Sequence, residues 1–200
     1  VHGSRGLGDV YKRQVLYNLI ISRNLKIKAF DCKIDSNLPI GAGISSSSSL
    51  VCGLISGINY LNDLKLSSDE IVDIVSDVEH NFIGLKGGIM DQFTIVNGRK
   101  NKLLLLNCQN RDFKYIDSNF NPYKIILFDT KVEHNLSDSS YNKRVIECNE
   151  ALKIIRKKYK KYKFLVDVEE KVLCEFKNTM NEKVYNRALF VIQENKRTIK

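Results

Sequence analysis

The chain predicts an α+β fold, and three features carry that expectation. Apolar residues recur at helical spacing in separate stretches, as in Val51, Leu54, Ile55, Ile58 and Leu61, and again in Ile71, Ile74, Val75, Val78 and Phe82. Short apolar runs of strand length lie among them. The two kinds of segment are mixed without the regular alternation of a βαβ repeat, so a parallel doubly wound sheet is not expected.

In chain order, residues 1–14 (VHGSRGLGDVYKRQ) show no periodicity and join abruptly to an apolar run. They are expected to be a leader unrelated to the fold. Val15–Ser22 reads as a helix and Leu25–Ile34 as a strand. A Gly/Ser segment then leads into a helix that runs to about Tyr60. Ser67 to Glu70 has the spacing of a capping box, which starts the next helix. Phe93–Val96 and Lys102–Leu106 are expected as two strands joined across Asn97-Gly98, a common hairpin signal. Asn121-Pro122 marks a turn before Tyr123–Phe128, expected as a buried strand. Ser140–Arg156 reads as a helix with Tyr141, Val145, Cys148, Leu152 and Ile155 on one face, and the remainder is largely helical. The chain stops inside a helical pattern, so both ends are expected to be incomplete.

Composition narrows the class. Of 200 residues, 43% are hydrophobic, enough for an ordinary core, and no apolar stretch approaches the ~20 residues that span a bilayer. The five cysteines are odd in number and never paired as CxxC, which argues against a disulfide framework or zinc site and for a reducing cytoplasm. The net charge of +9 is concentrated in Lys153 to Lys163, where basic and apolar residues alternate as on a solvated helix face. No nucleic-acid motif accompanies it. A soluble monomer with a small-molecule substrate, and neither nucleic acid nor membrane as partner, is the expectation.

The chemistry begins at Pro39-Ile40-Gly41-Ala42-Gly43-Ile44-Ser45-Ser46-Ser47-Ser48-Ser49. Such a segment at a helix N-terminus offers free N–H groups and the positive end of the dipole, a setting that suits phosphate. Glycines let the backbone approach a ligand, and hydroxyls donate to oxygens or ligate a cation. No Lys-Ser/Thr pair closes a Walker loop, and the third glycine of a dinucleotide fingerprint is missing. Two acids follow, Glu79 and, after Gly87-Gly88, Asp91. One carboxylate could hold Mg²⁺ and the other could take a proton from an attacking hydroxyl, which makes phosphoryl transfer coherent. His80 lacks a histidine or cysteine partner at metal spacing and reads as structural. His134 reads as a surface residue, and His2 belongs to the leader.

These segments resemble a known family, the GHMP small-molecule kinases. Pro39 to Ser47 is similar to that family's ATP-phosphate loop. Glu79-His80-Asn81-Phe82-Ile83-Gly84 with Gly88-Ile89-Met90-Asp91-Gln92-Phe93 is similar to the block around the catalytic aspartate in its galactose-phosphorylating branch. Asp129-Thr130, His134-Asn135-Leu136, Ser140-Tyr141-Asn142-Lys143-Arg144, Glu147-Cys148, Arg187-Ala188 and Glu194 to Thr198 add matches, so the likeness runs from Val15 to the C-terminus.

The resemblance implies the GHMP kinase fold. Residues 15–120 would be a partial, ribosomal S5 domain 2-like ATP-binding domain, and 121–200 the start of the C-terminal GHMP domain. It implies transfer of phosphate from ATP to the anomeric hydroxyl of galactose with Mg²⁺. Gly41, Ala42, Gly43, Ile44, Ser45, Ser46 and Ser47 would cradle ATP, Ser47 and Glu79 would ligate Mg²⁺, and Asp91 would be the base. Gly88, Asp91 and Tyr141 would contact the sugar. An N-acetylhexosamine kinase and a non-catalytic galactose- and ATP-binding sensor are the alternatives within the family. Three departures stand out. The family's Gly-Arg-x-Asn first motif and its Gly-rich last motif are absent, and Ser48 stands where alanine is usual. A chain without those motifs is expected to have little or no activity by itself.

Overall fold

The computed structural model describes residues 7–84, 87–130 and 140–199. The chain forms two compact units, residues 1–137 and 138–200. The expected boundary at 120/121 falls earlier than this division. Residues 121–130 are all exposed, and the second unit's core starts only with the helix that follows.

In the first unit, helix α1 (Leu7–Tyr17) continues into a wider turn, Asn18–Ser22. Helix α1 crosses the expected end of the leader at residue 14 and buries Tyr11 in one cluster with Val15 and Leu19. The residues before Leu7, including His2, lie outside the described residues. Helix α2 (Ser46–Asn62) buries Val51, Cys52, Ile55 and Ile58 on one face. Helix α3 (Ser68–Val78) meets it with Ile71, Ile74, Val75 and Val78. Its start is the expected capping box. The Ser67 hydroxyl accepts from the Glu70 N–H at 3.2 Å, and the Glu70 carboxylate accepts from the Ser67 N–H at 2.8 Å. A second wide turn, Glu79–Ile83, ends α3 at Gly84, whose φ of +75° suits glycine.

The expected strand at Phe93–Val96 is instead part of helix α4 (Met90–Asn97). Four residues, three of them apolar, are too few to separate a period of 2 from one of 3.6. Phe93 is buried, and Val96, three residues on, packs against the core that α2 and α3 share. Asn97-Gly98 therefore ends a helix rather than turning a hairpin. The Asn97 side-chain amide donates to the Phe93 carbonyl at 3.1 Å. A Cβ on Gly98 would lie 2.6 Å from the Thr94 carbonyl oxygen, so the close approach requires glycine.

Strand β1 (Lys102–Leu106) pairs antiparallel with β2 (Phe113–Asp117), with Leu104 opposite Tyr115. This hairpin braces the helices. Phe113 meets Phe93 edge-on at 5.2 Å, the Tyr115 hydroxyl donates to the Asn97 carbonyl at 2.5 Å, and Arg111 pairs with Asp73 and Asp69 of α3.

Two expected strands carry no ladder among the described residues. Leu25–Ile34 has no regular secondary structure, with Leu25, Ile27 and Phe30 packed against the core. Tyr123–Phe128, expected to be buried, is exposed, with Ile125, Ile126, Leu127 and Phe128 between 68% and 85% accessible. A strand needs a neighbour to satisfy its N–H and C=O groups, and none of the described residues pairs with either run.

The second unit is helical: α5 (Ser140–Lys158), a short 3₁₀ turn (Leu165–Asp167), α6 (Glu170–Cys174) and α7 (Glu182–Ile199). Ala151, Ile155, Leu173, Ala188 and Ile192 form its fully buried centre. Glu147 of α5 bridges Lys183 at 3.0 Å and Arg187 at 3.2 Å on α7. His134 and the rest of 131–139 lie outside the described residues. No helix among the described residues is long and apolar enough to cross a membrane.

Candidate functional site

The Gly/Ser segment turns sharply into α2. Gly41 and Gly43 have φ of +75° and +72°, and Ser45 follows at +57°. With no side chain, the two glycines leave open space where a Cβ would stand. Ser45 occupies the N-cap of α2, yet its side chain makes no capping bond. The first-turn N–H groups are thus not closed off by the cap and, with the helix dipole, remain available to an anion.

The Ser45 hydroxyl turns elsewhere. It donates to the Asp91 carboxylate (Oγ to Oδ2, 2.6 Å), joining the N-terminus of α2 to the first turn of α4. Asp91 itself is exposed, so its carboxylate faces solvent at the mouth of the loop. A carboxylate at the start of a helix is favoured by that helix's dipole.

Beneath this contact lies a buried polar bridge. Glu79 is 2% exposed and receives two hydrogen bonds, from the Ser48 hydroxyl (Oγ to Oε1, 2.6 Å) and from the Gln92 amide on Oε2. Ser48 and Gln92 are also buried, at 4% and 2%. Burial holds Glu79 above the usual carboxylate range against the lowering effect of those two bonds, and the nearby Asp91 charge adds to the rise. The Gln92 amide oxygen has no hydrogen-bond partner among the described residues.

Of the expected Mg²⁺ ligands, Ser47 and Glu79 are not joined by a recorded contact. Ser47 neighbours the buried Tyr11 phenol instead: burial raises the Tyr11 pKa and the Ser47 hydroxyl works against that rise. Mg²⁺ takes oxygen ligands and keeps several waters. The Glu79 carboxylate is instead enclosed, with a donor hydrogen on each oxygen. Among the described residues there is no group of three or more His, Cys, Asp or Glu that could hold a metal. In this arrangement Glu79 and Ser47 do not fit a magnesium ion.

The remaining expected residues are placed as follows. The His80 ring N–H donates to the Gly87 carbonyl at 2.9 Å, which ties the turn after α3 to the Gly87-Gly88 segment before Asp91. Gly88 is exposed three residues before Asp91. Tyr141 lies in the first turn of α5 in the second unit and is 45% exposed rather than in its core. Two site residues are given no role by sequence reasoning: Ser48 stands out only as a departure from the family's alanine, and Gln92 only as part of the aspartate block. Their signals were present but faint: Ser48 is one of five consecutive serines, and Gln92 adjoins Asp91.

Residues 10–99 match the GHMP kinases N terminal domain. The chain is 37% identical over 180 residues to a galactokinase from Clostridium tetani, covering 89% of this chain and 46% of that protein. The chain belongs to the GHMP kinase family.

A second relative of this GHMP kinase chain, a galactokinase from Thermosipho africanus, is 41% identical over 138 residues, covering 69% of this chain and 39% of that protein. The crystal structure of Lactococcus lactis galactokinase complexed with galactose superposes with a TM-score of 0.75. That match is 23% identical and covers 98% of this chain and 51% of the other. It shows the α+β GHMP kinase fold. The chain spans about half the length of the relatives it matches.

Proposed function

We propose that this chain supplies the nucleotide-phosphate loop and the catalytic base of an ATP-dependent galactose kinase. The observation that carries the reading is the 2.6 Å bond from Ser45 to Asp91. It sets a solvent-facing carboxylate beside the helix N-terminus where a phosphate chain would rest.

In that mechanism the N–H groups at the start of α2 and the Gly41 to Ser47 backbone bind the ATP phosphates. The galactose anomeric hydroxyl approaches Asp91, with Gly88 and Tyr141 as further sugar contacts supported by the motif resemblance. As the sugar oxygen bonds to the γ-phosphorus, the bond to the β–γ bridging oxygen breaks. The hydroxyl proton passes to the Asp91 carboxylate, and ADP leaves. General-base assistance of this kind is worth ~10²–10⁴-fold. The loop N–H groups stabilise charge on the transferred phosphoryl. Mg²⁺ accompanies the nucleotide and, when bound, neutralises phosphate charge. The five free cysteines, Cys32, Cys52, Cys108, Cys148 and Cys174, support a reducing compartment, the cytoplasm.

A coupled ADP-release assay on the complete protein that carries this segment tests the reading, with galactose and N-acetylgalactosamine as acceptors. Galactose-dependent ADP release supports it. Turnover confined to the N-acetylated sugar would move the acceptor assignment, and binding of ATP and galactose without turnover would make the protein a sensor.

A further inference from the structure

The enclosure of Glu79 separates this chain from a simple picture of two acids with one metal and one proton between them. Glu79 sits in the wide turn after α3, and its two oxygens take hydrogens from two different helices, Ser48 of α2 and Gln92 of α4. Gln92 is the immediate neighbour of Asp91, and Asp91 in turn accepts from Ser45, three residues before Ser48. The five side chains thus close a loop: α2 to Glu79, Glu79 to α4, and α4 back to the start of α2.

We propose that Glu79 is a positioning residue, the buried bridge through which Ser48 and Gln92 fix Asp91 against the phosphate loop, and that it does not ligate the metal. The inference rests on Asp91 being the base under the proposed function. Its physical content is the enclosure of the carboxylate. Each oxygen that accepts one hydrogen bond keeps a lone pair, but at 2% exposure, with buried Ser48 and Gln92 closing over it, the group has no open face for a cation that keeps several waters. Ligation would have to open this buried site. Keeping both bonds holds the first turn of α4 at a fixed distance from α2. A displacement of ~1 Å at a reacting group can cost ~10²-fold in rate, so this bridge has leverage on catalysis without touching substrate.

Three variants separate bridge from ligand. Glu79→Gln keeps an oxygen for the Ser48 hydroxyl and, once the Gln92 amide turns over, donates to its oxygen. Both bonds survive, but the carboxylate is gone. Glu79→Leu removes both bonds. Gln92→Leu removes one while leaving the carboxylate in place.

The first measurement is Mn²⁺ binding by electron paramagnetic resonance on the 200-residue chain, with Mn²⁺ alone and with Mn²⁺ plus ADP. The bridge predicts that the parent chain binds Mn²⁺ in the presence of ADP and that Glu79→Gln matches it within about twofold. A loss of tenfold or more would overturn the proposal. The second measurement is kcat and KM in the complete protein. Glu79→Leu and Gln92→Leu should lower kcat by ~10-fold to 10²-fold with the KM for ATP little changed, and Glu79→Gln should recover most of the Glu79→Leu loss. A Glu79→Gln protein as inactive as Glu79→Leu would also overturn it. If the parent protein does not phosphorylate galactose, the proposed function fails, and the Mn²⁺ comparison still decides whether Glu79 is a metal ligand.

Discussion

Replacing Ser48 with alanine isolates one bond of the buried bridge, and its cost can be worked from the structure. The hydroxyl is 4% exposed and donates at 2.6 Å to a carboxylate that is itself 2% exposed. Hydrogen bonds to charged groups contribute about 1.5–3 kcal/mol, and here the abandoned Glu79 oxygen would stay buried. Alanine has the higher helix propensity, which returns about 0.5 kcal/mol at a position inside α2. The net loss expected for Ser48→Ala is therefore about 1–2.5 kcal/mol. Ser49→Ala, one residue on, has only the propensity gain, so the two variants should differ by about 1.5–3 kcal/mol in opposite directions. Urea unfolding of the 200-residue chain, followed by a probe in the first unit, measures both. Equal stabilities for the two variants, within about 0.5 kcal/mol, would refute the claim that Ser48 holds Glu79, since that is the range of ordinary surface changes.

The other expected outcomes concern the loop, a helix end and two carboxylates. Gly43→Ala forces a side chain into φ of +72°, a strain of about 1–2 kcal/mol, and should weaken ATP binding measured by calorimetry while leaving α2 helical. Gly98→Ala puts a methyl 2.6 Å from the Thr94 carbonyl oxygen and should destabilise the first unit by about 1–3 kcal/mol in urea unfolding. The two carboxylates should act in opposite senses with pH. Glu79 is held above its unfolded value of about 4.3, so the folded state binds its proton more tightly and stability falls as pH rises from there through the folded pKa. Glu147 is held down by Lys183 and Arg187, so its contribution is present above the unfolded value and is lost as pH falls through the folded pKa. Unfolding free energies across pH 3 to 8 for Glu79→Gln and Glu147→Gln should each flatten the matching slope; a Glu79→Gln curve parallel to the parent's above about pH 4.5 would contradict the burial argument.

Much of this organisation is legible in the residues, and the exceptions share physical causes. Helices α2, α3 and α5 each hold a 3.6-residue stripe over three or more turns, long enough for the period to declare itself. Helix α4 does not, because Phe93 and Val96 are its only apolar residues turned inward over two turns, beside the buried Gln92, and Asn97-Gly98 serves equally as a helix stop or a hairpin turn. Leu25–Ile34 and Tyr123–Phe128 have strand composition, but a strand is a property of pairs, and the partner is not encoded in the run itself.

At the site, residue type alone points to the loop and to Glu79 and Asp91. Which of five identical serines faces Glu79 is set by the phase of α2, which depends on Ser45 adopting φ of +57° just before the helix starts. Nothing in the composition conveys that angle. Gln92 is hidden for another reason: an amide in an isolated sequence reads as surface, and it becomes a core residue only because a buried carboxylate waits for its hydrogen.

The account's central claim is that Asp91 takes the acceptor proton beside the phosphate loop. Asp91→Asn in the complete protein keeps the shape and a hydrogen-bond acceptor for Ser45 but cannot serve as the base. The claim predicts that galactose-dependent kcat falls by ~10²–10⁴-fold while the dissociation constant for ATP stays within a few-fold of the parent's. A variant that still turns over galactose within tenfold of the parent would contradict it.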